Sequence, residues 1–289
     1  MNEKDEPKIY LLPNLMTAGN LFCGFIAILS IFEAMRLGGI DELAVTKVYF
    51  VRAIGLILGA CIFDVLDGRL ARLGGQESDF GREFDSIADV VSFGLAPALL
   101  VMSVVLNQFN DSLGWTIAFF YLLCGAMRLA RFNCVAAMDS GSSKYHFDGI
   151  PIPAAAGVIS SLTLFMMWMT EGERDLGPWR YGFLILMVLL SFLMFSKLKY
   201  PSFKGLSWKT KRSIPWVLGV VILLVITVNN YQWMPALLFV LYLVYGLVRP
   251  WISKRWRKEI EEDMLSFESD GDGVVENGQD GATVDDLSK

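Results

Sequence analysis

The sequence predicts an all-α polytopic membrane protein with about eight transmembrane helices, the last two forming a C-terminal hairpin. Three observations predict it. The chain has 289 residues, of which 54% are hydrophobic, with a mean hydropathy of +0.47; a soluble domain is nearer about 45–50% apolar. The apolar excess is gathered into eight runs, most of them close to the roughly 20 residues that a helix needs to cross a bilayer. None of the runs alternates apolar and polar residues, as the roughly ten-residue strands of a membrane β-barrel would. Short apolar runs could be core helices of a soluble protein, but eight in one chain argue against that reading.

In chain order the runs cover about 13–35, 47–65, 86–107, 114–132, 152–170, 179–197, 214–229 and 233–250. The first is too long for a signal peptide and follows mostly acidic residues, so it is expected to stay as a span. The last two are short and meet at Asn229-Asn230, which suits a tight helical hairpin. The expected organisation is a short cytoplasmic segment over 1–8, a membrane core over 9–200, two further spans with a basic interfacial segment over 201–258, and an acidic tail over 259–289. That tail is rich in Glu, Asp, Gly and Ser and too poor in bulky apolar residues to fold. It accounts for the net charge of −5. Asp270, Asp272 and Glu276 within it lack the spacing of a calcium loop.

Cys23, Cys61, Cys124 and Cys134 lie in or beside apolar runs without CxxC or Cys/His spacing and read as small core residues. His146, the single histidine, reads as a loop residue. No nucleic-acid partner is expected.

Eight spans place both termini on one side, and the distribution of Lys and Arg chooses which. With the N-terminus inside, the inner segments carry Lys4 and Lys8, then Arg69, Arg72 and Arg82, then Arg128, Arg131 and Lys144, then Lys197, Lys199, Lys204, Lys209, Lys211 and Arg212. Lys254, Arg255, Arg257 and Lys258 follow the final span, and Trp251 and Trp256 among them suggest an interfacial anchor. The outer segments carry only Arg36, Lys47, Arg174 and Arg180. Both termini are therefore expected in the cytoplasm.

Against this background one stretch stands out, "FDVLDGRLARLGGQESDFGREFDSIAD" from Phe63 to Asp89. Asp64 and Asp67, spaced i, i+3, close the second run; Asp85 and Asp89, spaced i, i+4, open the third. Each pair shares one helical face, and two antiparallel helices bring both pairs to one membrane level. Four converging carboxylates repel one another unless a cation lies between them. Oxygen-only ligands favour Mg²⁺, Mn²⁺ or Ca²⁺ over zinc. The plainer alternative is a set of solvated acids paired with Arg69, Arg72 and Arg82. Acids at a membrane span are nonetheless functional by default.

Gly68, next to Asp67, and Gly81, one turn before Asp85, allow a ligand to approach the backbone. Ala71 is small, and Arg72 suits a phosphate or a bridging carboxylate. Together these residues point to a metal-bridged phosphate ester, in which metals stabilise the leaving oxygens and the developing charge.

The pattern D-x2-D-G-x2-A-R-x8-G-x3-D-x3-D resembles the signature of the CDP-alcohol phosphotransferases. Asp64, Asp67, Gly68, Ala71, Arg72, Gly81, Asp85 and Asp89 fill it without deviation. The resemblance implies a six-helix membrane core, a homodimer and two bound metal ions. It implies that Asp64, Asp67, Asp85 and Asp89 hold the metals and that Asp89 also serves as general base.

"YLLPNLMTAGNLFCGF" (Tyr10–Phe25), "ADVVSFGLAPALL" (Ala88–Leu100), "RLARFN" (Arg128–Asn133) and "GIPIPAAAG" (Gly149–Gly157) resemble the bacterial members that use CDP-diacylglycerol and L-serine. That likeness covers about residues 9–200 and implies an enzyme of the bacterial inner membrane that makes phosphatidylserine and CMP, with Mg²⁺ or Mn²⁺ as cofactor. Asn14 and Thr17 stand level with the aspartates and could bind the nucleotide or cap a helix. Arg128 and Arg131, one turn apart, could hold a pyrophosphate or the serine carboxylate, or could be ordinary inner-side flanking charge. Asn133 offers one more polar contact. The small residues of Ala154–Gly157 read as a site of close helix packing.

Three rivals stand beside this reading at the level of sequence. A structural membrane scaffold is one, and it leaves the eight-residue pattern unexplained. The other two are an enzyme and a transporter. One is another family member, making phosphatidylglycerophosphate or phosphatidylinositol. The other is a cation transporter, which would carry its acids near the bilayer midplane on broken helices.

Overall fold

The computed structural model describes residues 10–37, 43–73, 78–106, 109, 111–138, 149–170, 177–196 and 213–248. The N-terminal segment, the basic stretch 197–212, the Arg72 side chain, His146, the interfacial segment with Trp251 and Trp256, and the acidic tail lie outside the described residues.

Every expected apolar run lies on a helix, and no strand occurs among the described residues. In order these are α1 (Leu11–Leu37), α2 (Leu43–Leu73), α3 (Asp79–Asp89), a π-helical turn (Val90–Leu95), α4 (Ala96–Val104), α5 (Asp111–Met138), α6 (Ile152–Met169), α7 (Trp179–Phe195), α8 (Ser213–Asn229) and α9 (Met234–Val248). α3, the π-helical turn and α4 form one continuous span, Asp79–Val104. That span, with α1, α2, α5 and α6, makes five helices long and apolar enough to cross a membrane; α7 and α9 are shorter apolar helices. The chain is an integral membrane protein by this architecture.

The helix ends reach beyond the apolar runs. The second run closes near residue 65, yet α2 continues to Leu73. The intervening "DGRLARL" breaks hydropathy but not the backbone hydrogen-bond ladder, because Leu, Ala and Arg are good helix formers. On the other side of the connection α3 starts at Asp79, a full turn and more before the third apolar run. Ser78 caps it, its hydroxyl accepting from the Gly81 N–H at 3.0 Å. The two acidic segments thus project from the apolar zone as ordered helix.

α8 belongs to a second compact unit, while α1–α7 and α9 form one unit. Within that unit α1 packs along α2 and against the α3–α4 span, α5 packs on α7, and α6 packs on α2 and α9. Ala27, Ile31 and Ala34 of α1 and Ala53, Ile54 and Ile57 of α2 are wholly buried. Phe22, Phe25, Leu29 and Phe32 of α1 face outward, as a lipid solvent permits.

Lipid offers little drive for apolar surfaces to associate, so close packing at small residues matters. Gly157 of α6 is the clearest case. A Cβ there would stand 2.2 Å from Cε1 of Phe239 on α9. Gly157 of the small-residue stretch Ala154–Gly157 does serve close helix packing, and its partner is α9. Gly149, at φ +85° in the left-handed region that favours glycine, leads the chain into α6; a Cβ would lie 2.4 Å from the Met194 carbonyl oxygen. Pro151 caps α6 and Pro153 sits in its first turn, where a missing N–H costs nothing.

Candidate active site

The site is built where α1, α2 and α3 meet. Asp64 and Asp67 lie on one face of α2 and Asp85 on the facing side of α3. Carboxylate oxygens from these three lie within 4.8 Å of one another. Asp67 is buried and Asp64 and Asp85 are half-buried. This all-oxygen donor set fits a hard divalent cation, which would remove the repulsion that otherwise opposes the cluster.

Asp89 comes one turn after Asp85. Its carboxylate is buried and within electrostatic range of Asp64, Asp67 and Asp85. It has a partner of its own: Asn20 Nδ2 of α1 donates to Asp89 Oδ1 at 3.0 Å. The four aspartates therefore converge as their spacing predicts, with three in a tight group and the fourth held from α1.

α1 supplies a second such contact. The buried Thr17 hydroxyl lies 3.0 Å from Asp67 Oδ2 and 3.2 Å from the Pro13 carbonyl. With one proton to donate, it serves one of them at a time. Thr17 thus faces the aspartate cluster directly. Asn14, one turn earlier, has a buried amide Nδ2 without a hydrogen-bond partner. Its Oδ1 is 3.3 Å from where a Cβ on Gly81 would stand, so the absent side chain lets α1 and α3 come together. Gly68 opens on free space, with nothing within 4 Å of a Cβ placed there. Ala71 is half-buried on the same helix.

The residues from α5 divide. Arg128 is half-buried, its Nε enclosed and without a hydrogen-bond partner, and the charges of Asp89 and Asp64 act on it. Arg131, one turn on, is exposed. Asn133 is buried and donates through Nδ2 to Glu83 Oε2 and Ser86 Oγ, both at 3.0 Å, which ties α5 to α3.

Sequence reasoning missed Asn20 and Ser92. Ser92 lies in the π-helical turn and donates to the Asn20 carbonyl at 2.9 Å. A signal for Asn20 was present: an amide inside an apolar run is costly in lipid unless it has a partner.

Comparison with known proteins points the same way. The profile of the family described as CDP-alcohol phosphatidyltransferase matches residues 10–196. A Helicobacter pylori (strain J99) protein named CDP-diacylglycerol–serine O-phosphatidyltransferase is 37% identical over 246 residues, covering 84% of this chain and 92% of the relative. A Methanocaldococcus jannaschii protein of the same name is 30% identical over 243 residues, covering 84% and 95%. An archaetidylserine synthase of Methanothermobacter thermautotrophicus is 33% identical over 214 residues, covering 73% and 78%.

Proposed function

The chain belongs to the CDP-alcohol phosphatidyltransferase family, and from that premise we propose that it transfers the phosphatidyl group of CDP-diacylglycerol to the hydroxyl of L-serine, giving phosphatidylserine and CMP. The observation that carries the chemistry is the group of three carboxylates within 4.8 Å, with Asp89 one turn away. Serine as the acceptor is supported by relatives named for serine products that differ in the lipid named.

Asp64, Asp67 and Asp85, with Asp89, would hold Mg²⁺ or Mn²⁺, two ions by the family resemblance. Bound there, the metal stabilises charge on the phosphates and on the departing CMP oxygen. The protein's own residues do the rest. Gly68 and Ala71 leave room for the nucleotide and its phosphates, and Gly81 lets α3 close on Asn14, which meets the nucleotide. The Asn14 amide donates to the nucleotide, and Arg72 binds a phosphate. Thr17 orients Asp67. Arg128, an enclosed cation near Asp89, binds the serine carboxylate or a phosphate, with the exposed Arg131 at the rim and the buried Asn133 holding α5 against α3.

The serine oxygen forms a bond to the phosphorus that carries diacylglycerol, and the bond from that phosphorus to the CMP oxygen breaks. Serine's hydroxyl is a poor nucleophile near neutral pH, so its proton must go to a base. Asp89 Oδ2 takes it, since Oδ1 is engaged by Asn20. The acids stand where spans emerge from the apolar zone because one substrate is borne in lipid and the other in water. Our reading places this face, with both termini, in the cytoplasm, and the protein as a homodimer.

An alcohol competition tests the substrate assignment. Purified protein receives CDP-diacylglycerol with L-serine, glycerol 3-phosphate and inositol together, and the lipid products are separated. Phosphatidylserine as the dominant product supports the reading. Phosphatidylglycerophosphate or phosphatidylinositol in its place overturns it.

A further inference from the structure

We infer that Asn20 is a positioning residue for Asp89, locked in place by Ser92 of the π-helical turn. The inference rests on the proposed role of Asp89 as proton acceptor. It adds a residue of α1 outside the eight-residue signature to the machinery of that reaction.

Three observations carry it. Asn20 is wholly buried in the middle of an apolar run, and its Nδ2 donates to Asp89 Oδ1 at 3.0 Å. Its backbone carbonyl accepts from the Ser92 hydroxyl at 2.9 Å, and Ser92 is also wholly buried. The turn that carries Ser92, Val90–Leu95, begins at the residue after Asp89. Single π-helical turns inside α-helices are rare and recur at functional sites. Here the turn changes the register just past Asp89, so that Ser92 on the same helix reaches the residue whose side chain holds Asp89.

The contact depends on α1 coming very close. Gly24, one turn after Asn20, has no side chain to prevent it: a Cβ there would stand 2.3 Å from Ser92 Oγ and 2.8 Å from Ser92 Cα. Gly24, Ser92, Asn20 and Asp89 thus form a continuous set of contacts between α1 and the third span. An amide donor satisfies one carboxylate oxygen and fixes the plane of the group. The other oxygen, Oδ2, is left for metal and alcohol. Outer partners that orient ligand carboxylates typically change affinity or activity by about 10–100-fold when removed.

A buried asparagine between two helices can also act only as structural glue, so the test must separate the two roles. Asn20→Leu keeps bulk and removes the donor. Asn20→Asp keeps the shape and sets an acceptor against Asp89. Each is compared with wild type by CMP release on the alcohol panel, by CMP affinity from calorimetry without turnover, and by melting midpoint in detergent. Asp89→Asn and the double variant Asn20→Leu/Asp89→Asn complete the cycle.

The expected result is a kcat lowered about 10–100-fold by Asn20→Leu and further by Asn20→Asp. CMP affinity should stay near wild type in Asn20→Leu, and the melting midpoint, lowered by the unpaired Asp89 Oδ1, should stay above the assay temperature. The double variant should be no slower than Asp89→Asn alone, because residues that act as a unit are non-additive. Wild-type kcat in Asn20→Leu, or a loss that multiplies with that of Asp89→Asn, overturns the inference while leaving the proposed activity intact. A rate loss matched by an equal loss of folded protein also overturns it. Wild-type protein that releases CMP with none of the alcohols overturns both readings.

Discussion

The Thr17 hydroxyl lies 3.0 Å from Asp67 Oδ2, joining two residues fifty positions apart in the chain. Both are buried, so this is a hydrogen bond to a carboxylate in a place where solvent does not compete for it. Thr17→Val keeps the branched shape and removes the donor. The metal concentration needed for half-maximal activity should rise about 10-fold, in the range for outer partners of metal ligands. Thr17→Ser should stay close to wild type. An unchanged metal requirement in Thr17→Val would remove Thr17 from the site.

The clustered carboxylates imply that turnover depends on a divalent cation. EDTA should abolish CMP release, and added Mg²⁺ or Mn²⁺ should restore it. Full activity in excess chelator would show that Asp64, Asp67 and Asp85 have another purpose.

The packing of Gly157 against Phe239 makes a separate prediction, about α9. Gly157→Leu should lower stability by about 1–3 kcal/mol, the usual cost of overpacking a filled interior. It would be read as a lower melting midpoint in detergent. Phe239→Ala should recover part of that loss in the double variant, because it vacates the ring position 2.2 Å from the new Cβ. A double variant no more stable than Gly157→Leu would deny the contact.

Much of this was legible in the sequence, for identifiable reasons. Membrane spans are marked by length and apolarity alone, so each of the five described spans overlaps an expected apolar run. The aspartates were found because charge in such surroundings is costly. What local pattern cannot show is contact between distant residues. Asn20 and Asp89 are far apart in sequence, and the packing of α1 on the third span, close at Gly24 and Ser92, brings them together. The π-helical turn at Val90–Leu95 precedes Pro97, which cannot donate to the Phe93 carbonyl one turn back; that proline marks a break in the ladder but does not say which side chains the break brings together. The ends of α2 and α3 were set too short because hydropathy stops at Asp64 and Asp85 while helical hydrogen bonding does not.

Orientation rests on the Lys and Arg distribution and has its own test. Single cysteines are placed as Gln76→Cys, Gly205→Cys and Arg174→Cys, and labelling is compared with the parent protein. In intact cells an impermeant thiol reagent should label only the Arg174→Cys variant above background. Labelling of Gln76→Cys from outside would reverse the orientation and put the site on the other face.

The most direct measurement is the stoichiometry of the reaction itself. Purified protein in lipid micelles is given CDP-diacylglycerol, labelled L-serine and Mg²⁺, and CMP and phosphatidylserine are followed together. Equal amounts of the two should form, and Asp64→Asn should suppress both in parallel, since that aspartate belongs to the group of three within 4.8 Å. CMP formed without labelled lipid, or transfer undiminished in Asp64→Asn, would contradict the account.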